Sequence, residues 1–276
     1  MNPSRFQYDL NAPIAFMGGV YGNVPALRAC LADARTQGCG LYVFLGDAIG
    51  CCGHSDEALE LIRDHFDITL AGNLEQEAAA GSDACACGYG DPEDEKYGCL
   101  AQQYALNSLG EPMRAEIAAW PSQMLLETRF GTVVLCHGSP DRINEFLYES
   151  TLDDSRLNDW LDRNRARGLV CTHTGLPWIR HLRIQRFAVN CGVVGKPDHD
   201  GDPAIHYAWV EPRAGSWEIV IRRVDYDQRS WAEQLAREEV DEIFVEPLRT
   251  GWWTTGVNSL PNAERNRSTR SALRQS

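Results

Sequence analysis

Six short clusters along the chain carry residue types that can do hydrolytic chemistry. They are Gly19-Val20-Tyr21-Gly22-Asn23, Leu45-Gly46-Asp47, Gly72-Asn73-Leu74-Glu75, Cys136-His137-Gly138-Ser139-Pro140, Thr172-His173-Thr174-Gly175 and Asn190-Cys191-Gly192. Most of them follow a short apolar run. Carboxylate, amide and imidazole donors on strand-end loops are how an α/β protein builds a metal site that activates water. Each residue alone has a blander reading. Asp47 after Gly46 suits a turn, Asn73 suits a turn or a helix cap, and a lone histidine is more often a satisfied structural group. Their joint order at strand ends is what favours chemistry.

The elements that must position these clusters follow from periodicity. Pro13 to Gly18 reads as a short buried strand. Asn23 caps a helix with Pro25 in its first turn and Leu27, Cys30, Leu31 and Ala34 at helical spacing. Leu41 to Leu45 is the next strand, a helix starts at Ser55, and Asp67 to Ala71 is a third strand. This βαβαβ run predicts parallel, central strands. Gly81 to Gly98 reads as a Gly-, Cys- and acid-rich loop. Helices are expected at about 99–108 and 111–119, strands at 124–130 and 132–136, and a helix from Asp153 to Arg167. Beyond Gly168 the chain is strand-rich, at 169–172, 179–184, 186–191, 205–211 and 217–223, before a helix at about 228–240. The expectation is a single unit over 1–250 and a polar, loosely held C-terminal tail over 251–276.

Composition narrows the function classes. The chain has 276 residues, 43% of them hydrophobic, and a formal net charge of 26 − 39 = −13. That balance disfavours nucleic acid or an anionic membrane as the main partner, but leaves room for small phosphate compounds beside a bound cation. No apolar run approaches the ~20 residues of a membrane span. Several of the ten cysteines sit in strand-like runs, as in TVVLC at Cys136 and FAVNC at Cys191. Buried thiols of that kind point to a reducing, cytoplasmic setting.

Taken in order, the clusters resemble the calcineurin-like metallophosphoesterase family. Its motifs run Asp-x-His-Gly-Asn, Gly-Asp, Gly-Asn-His-Asp/Glu, His-Gly-Ser-Pro, Gly-His-Thr-His and Asn-x-Gly-Ser. The resemblance extends from about Ile14 to Val224. It implies an α/β fold, a four-layer α/β/β/α sandwich of two mixed sheets flanked by helices. It also implies metal-dependent hydrolysis of a phosphomonoester or phosphodiester. Carried over residue by residue, one metal would be held by Asp47, Asn73, His137 and His173, all of which are kept. The other would rest on Gly19, Tyr21, Asp47 and Gly175, where only Asp47 is an ordinary ligand. The resemblance therefore implies one transition metal (Mn, Fe or Zn), not two. Leu74 stands where the family has a histidine that assists proton transfer. Asn23 and Asn190 would orient phosphate oxygens of a small phosphorylated molecule, and Tyr21 offers a hydroxyl for a further phosphate contact.

Cys85 and Cys87, one residue apart, are possible extra ligands or a thiol pair, although incidental loop thiols are the commoner reading. Two rivals to a hydrolase stay open at this point. One is a metal-binding or regulatory module without turnover. The other is a metal/thiol redox protein using Cys85 and Cys87.

Overall fold

A computed structural model of the chain describes residues 3–9, 12–81, 87–107, 109–213 and 216–266. Its strands are β1 (Ser4–Tyr8), β2 (Ile14–Met17), β3 (Leu41–Phe44), β4 (Ile68–Thr69), β5 (Gln123–Thr128), β6 (Gly131–Cys136), β7 (Gly168–Cys171), β8 (Trp178–Leu182), β9 (Arg186–Asn190), β10 (Ile205–Arg213) and β11 (Ser216–Val224). Its helices are α1 (Val24–Thr36), α2 (Ser55–His65), α3 (Asn73–Ala80), α4 (Pro92–Asn107), α5 (Glu111–Ile117), α6 (Asp154–Arg163), α7 (Gln228–Arg237), α8 (Glu242–Thr250) and α9 (Asn262–Arg265).

The strands form two mixed sheets, ordered β1-β5-β6-β7-β9-β8 and β11-β10-β2-β3-β4. β2, β3 and β4 are parallel, as are β6, β7 and β9. Side-chain alternation explains the layering. Ile14 and Phe16 of β2 join Val133 and Leu135 of β6 and Val170 of β7 in a core between the sheets. Ala15 and Met17 face the opposite way, onto Leu27 and Leu31 of α1 and Leu59 and Ile62 of α2. On the far side, Val134 of β6 and Leu169 of β7 pack on Leu157, Trp160 and Leu161 of α6. The result is the helix/sheet/sheet/helix order expected from the sequence. α1 starts where its cap predicts, with the Asn23 side-chain oxygen (Oδ1) accepting the Ala26 N–H.

Three expectations need correction, and one strand is new. β4 is parallel to β3 but has only two residues and lies at the sheet edge. The stretch from Gly81 to Gly98 is not loop throughout, because α4 begins at Pro92 with Glu93, Asp94 and Glu95 in its first turn. The polar opening segment contributes β1, paired parallel to β5. The tail is packed as far as α9: Trp253, Leu260 and Glu264 are buried. Glu264 accepts the N–H and hydroxyl of Ser150, and Asp94 accepts the N–H groups of Gly256 and Ser259. Leu260 packs with Leu176 and Trp253. Leu260→Ala is therefore expected to lower stability by about 2 kcal/mol, read from denaturant unfolding. A loose tail would give no change.

Candidate metal centre

The site is built on loops that leave the C-terminal ends of strands in both sheets, where open α/β folds place their ligands. Asp47 follows β3, Asn73 follows β4 and opens α3, His137 follows β6, and His173 follows β7. Glu75 organises the first two. This fully buried carboxylate accepts the N–H groups of Asp47 (2.7 Å), Ala48 (2.8 Å), Ile49 (3.4 Å) and Gly72 (2.7 Å). Burial and the Asp47 charge push its pKa up to about 7, against those backbone bonds. Gly72 is required by close approach: a Cβ there would lie 2.1 Å from Asp47 Oδ1. Glu75→Gln puts an amide NH2 against N–H donors. It is expected to cost about 1–3 kcal/mol and to loosen metal binding together with stability, read by thermal melting with and without metal.

The four candidate ligands converge. His137 donates from Nδ1 to the Leu45 carbonyl (2.7 Å), which leaves Nε2 facing Asp47 Oδ2 at 3.1 Å and His173 Nδ1 at 3.1 Å. Among the described residues, Asp47, His137 and His173 are the one His, Cys, Asp or Glu group with metal-ligand spacing, all within 4.8 Å. Asn73 Oδ1 and His173 Nε2 are buried with no hydrogen-bond partner. Such orphans are costly unless something else satisfies them. Leu74 N–H donates to Asp47 Oδ1 at 3.2 Å and ties Asn73's turn to the cluster.

The electrostatics suit a cation. Burial opposes ionisation of Asp47, but the adjacent His137 holds its carboxyl below the usual range. Burial also disfavours a charged His137, yet Asp47 raises its pKa. Burial and the His137 charge push His173 down to about 3, so its imidazole is neutral and available as a ligand. Two imidazole nitrogens, one carboxylate and one amide oxygen form a donor set that fits a borderline divalent transition metal.

Other candidate residues fall in different places. Tyr21 lines the cavity beside Asp47, and burial followed by the Asp47 charge raises its pKa well, so its hydroxyl stays a donor. Asn23 and Asn190 are corrections. Both are fully buried and spend their amides on structure. Asn23 donates to the Gly195 carbonyl and the Tyr226 hydroxyl, and Asn190 donates to the Thr172 carbonyl and accepts the Gly192 N–H. Neither lines the cavity. Cys85 lies outside the described residues. Cys87 is buried on the cavity wall with Cys51 and Cys52, but no cysteine of the described residues belongs to the ligand cluster, which corrects the extra-ligand expectation for Cys87. The positions without ligands are closed by other side chains. A Cβ on Gly19 would lie 2.3 Å from Val193 Cγ1, and one on Gly175 would lie 3.0 Å from the Trp253 ring.

Beside the ligands lies a cavity of about 110 Å³. Its walls include the aromatic side chains of Tyr89, Tyr97, Phe146, Tyr148, Phe244 and Trp253. Phe146 also stacks on His173, with ring centroids 4.4 Å apart. Sequence reasoning placed Glu75 in its cluster without a role and missed these walls and Lys196. Glu75 had a signal, since an acid at the third helical position is half of a capping box.

Two packed mixed sheets with carboxylate, amide and imidazole donors gathered past the ends of their strands define an α/β fold with a candidate metal site. The chain matches the calcineurin-like phosphoesterase family over residues 12–236 and belongs to it. An uncharacterized protein of Methanocaldococcus jannaschii is 24% identical over 249 residues, covering 86% of this chain and 98% of its own. Two solved structures share the fold. A metallophosphoesterase from Sphaerobacter thermophilus has a TM-score of 0.66 at 22% identity, covering 88% of this chain and 100% of its own. A hypothetical protein from Pyrococcus horikoshii has a TM-score of 0.68 at 18% identity, covering 87% of this chain and 99% of its own.

Proposed function

We propose that this chain is a metal-dependent phosphoesterase that works with one metal ion held by Asp47, Asn73, His137 and His173. The observation that carries this reading is the convergence of three ligand atoms within 4.8 Å, together with the buried, unpartnered Asn73 Oδ1. When bound, the metal supplies Lewis-acid polarisation of a phosphoryl oxygen and makes a water more acidic. The chain's own residues do the rest. His137 is held in one orientation by the Leu45 carbonyl. Tyr21 keeps its proton and offers a hydroxyl to a phosphoryl oxygen. The aromatic walls receive an apolar or planar group carried on the phosphate. Leu74 lines the same cavity and has no proton to give to a departing alkoxide.

The substrate in this reading is a small phosphorylated molecule with an apolar or aryl portion. The setting is the cytoplasm, in keeping with nine free cysteines among the described residues. No helix of the described residues is long and apolar enough to cross a membrane.

Metal analysis after reconstitution, combined with a panel of phosphoesters, tests the reading. One transition metal per chain and turnover of aryl phosphates are expected. Two tightly held ions would overturn the mononuclear assignment, because Gly19 and Gly175 contribute no side-chain donor. One metal without turnover of any phosphoester would make the chain a binding module on this fold.

A further inference from the structure

Only two of the 26 lysines and arginines in the chain are lysines, Lys96 and Lys196. Surface ion pairs are made by arginine, from Arg5 with Glu127 to Arg249 with Glu242. Lys196 instead lines the cavity that holds Asp47, Asn73 and His173. Its ammonium lies 4.0 Å from the centroid of the Trp253 ring. Among the described residues it forms no hydrogen bond or ion pair. Its charge is felt by the Cys51 and Cys52 thiols and by Asp94. Asp94, however, already accepts the N–H groups of Gly256 and Ser259, each at 2.7 Å.

The position is built. Val194 N–H donates to the Gly18 carbonyl (2.9 Å) and Gly195 N–H to the Gly19 carbonyl (2.8 Å), which pins this loop on the first cluster. A Cβ on Gly195 would lie 2.2 Å from the Val20 carbonyl oxygen, so only glycine permits that approach. Trp253 donates from its indole nitrogen to the Pro197 carbonyl and fixes the ring under the ammonium. Lys196 Cε lies 3.7 Å from where a Gly175 side chain would begin. The lysine thus occupies the side of the cavity where the chain has no second ligand set.

Lys196 is half-buried, so its ammonium is partly withdrawn from water and gains from compensation. The Trp253 face supplies part of it, and three strong N–H donors are left without a protein acceptor. A dianionic phosphoryl group would supply those acceptors, and a divalent ion already facing the Asp47 carboxylate leaves one net positive charge against the dianion's two. We propose that Lys196 binds the phosphoryl group of the ligand as a second cation beside the metal. This deepens the phosphoesterase reading and rests on it for the identity of the anion.

The test is calorimetric titration of inorganic phosphate into metal-reconstituted protein. Lys196→Met keeps the apolar stem on Trp253 without the charge, and Lys196→Gln gives the same readout if the methionine variant does not fold. Lys96→Met is the control. Phosphate affinity is expected to fall on the order of tenfold to a hundredfold in the Lys196 variants, with metal content unchanged, and to stay at the wild-type value in the control. Affinity within twofold of wild type in both Lys196 variants would overturn the proposal, as would an absence of phosphate binding in wild type. Loss of metal from the Lys196 variants would also overturn it, since the lysine would then act on the site's structure. Lys196-dependent phosphate binding without hydrolysis would sink the enzyme reading and keep this one. Hydrolysis with Lys196-independent phosphate binding would do the reverse.

Discussion

His137→Ala is expected to abolish stoichiometric metal binding and to destabilise the metal-free protein as well. His137 is the hub of the cluster. Its Nε2 is 3.1 Å from both Asp47 Oδ2 and His173 Nδ1, and its Nδ1 is committed to the Leu45 carbonyl. Removing it takes away a ligand whose orientation was fixed in advance, and outer hydrogen bonds of this kind are themselves typically worth ~10–100-fold in metal affinity. The loss of the ligand they serve should exceed that. Without metal, the variant leaves the Asp47 carboxylate buried with the Leu74 N–H on Oδ1 and no imidazole of residue 137 at Oδ2, and breaking a buried charge pair costs about 3–5 kcal/mol. Metal content after dialysis and the denaturant midpoint of the apo-protein read the two effects separately. Metal retention at the wild-type level would remove His137 from the ligand set.

The sequence carried most of the scaffold because its strands are short, apolar and bounded by glycine. β2, β3, β6, β7 and β9 each match an expected run to within a residue or two. Three of the candidate ligands were legible for a related reason: Asp47, His137 and His173 sit just past β3, β6 and β7, whereas Asn73 follows the two-residue β4. α3 was harder, because Gly72-Asn73 looks like a turn and the helix is fixed by Glu75 reaching back to the Gly72 and Asp47 N–H groups. α8 carries Pro247 inside it, which masks a helix in a propensity reading.

Asn23 and Asn190 were misplaced for a different reason. Their motif positions say nothing about which neighbours take up their amides, and both side chains are spent on backbone groups and, for Asn23, the Tyr226 hydroxyl. The cavity walls could not be read at all. Tyr89, Phe146, Phe244 and Trp253 come from four distant segments that meet only in the fold. The polar composition after Gly251 concealed Trp253, whose ring covers Gly175 and underlies Lys196.

Leu74→His is expected to accelerate hydrolysis of alkyl phosphates on the order of 10² while changing aryl phosphates little. Leu74 is buried at the start of α3, lines the cavity, and has its N–H on Asp47 Oδ1. An imidazole there stands beside the metal ligands, where a leaving oxygen would depart. An alkoxide needs a proton in the transition state, and a phenolate does not, so the wild-type rate should fall steeply as the leaving group becomes more basic. The aromatic walls add a second preference for aryl groups, but through binding, so it belongs in KM. The acid effect belongs in kcat. Measuring both constants across a series of leaving groups, in wild type and variant, separates them. His54 is not a rival donor, since its ring nitrogens pair with Glu57 and Glu238 and it does not line the cavity. A wild-type kcat independent of leaving-group basicity would show that a proton donor is already present. Tyr21→Phe would then be the next variant, because that hydroxyl lines the cavity beside Asp47.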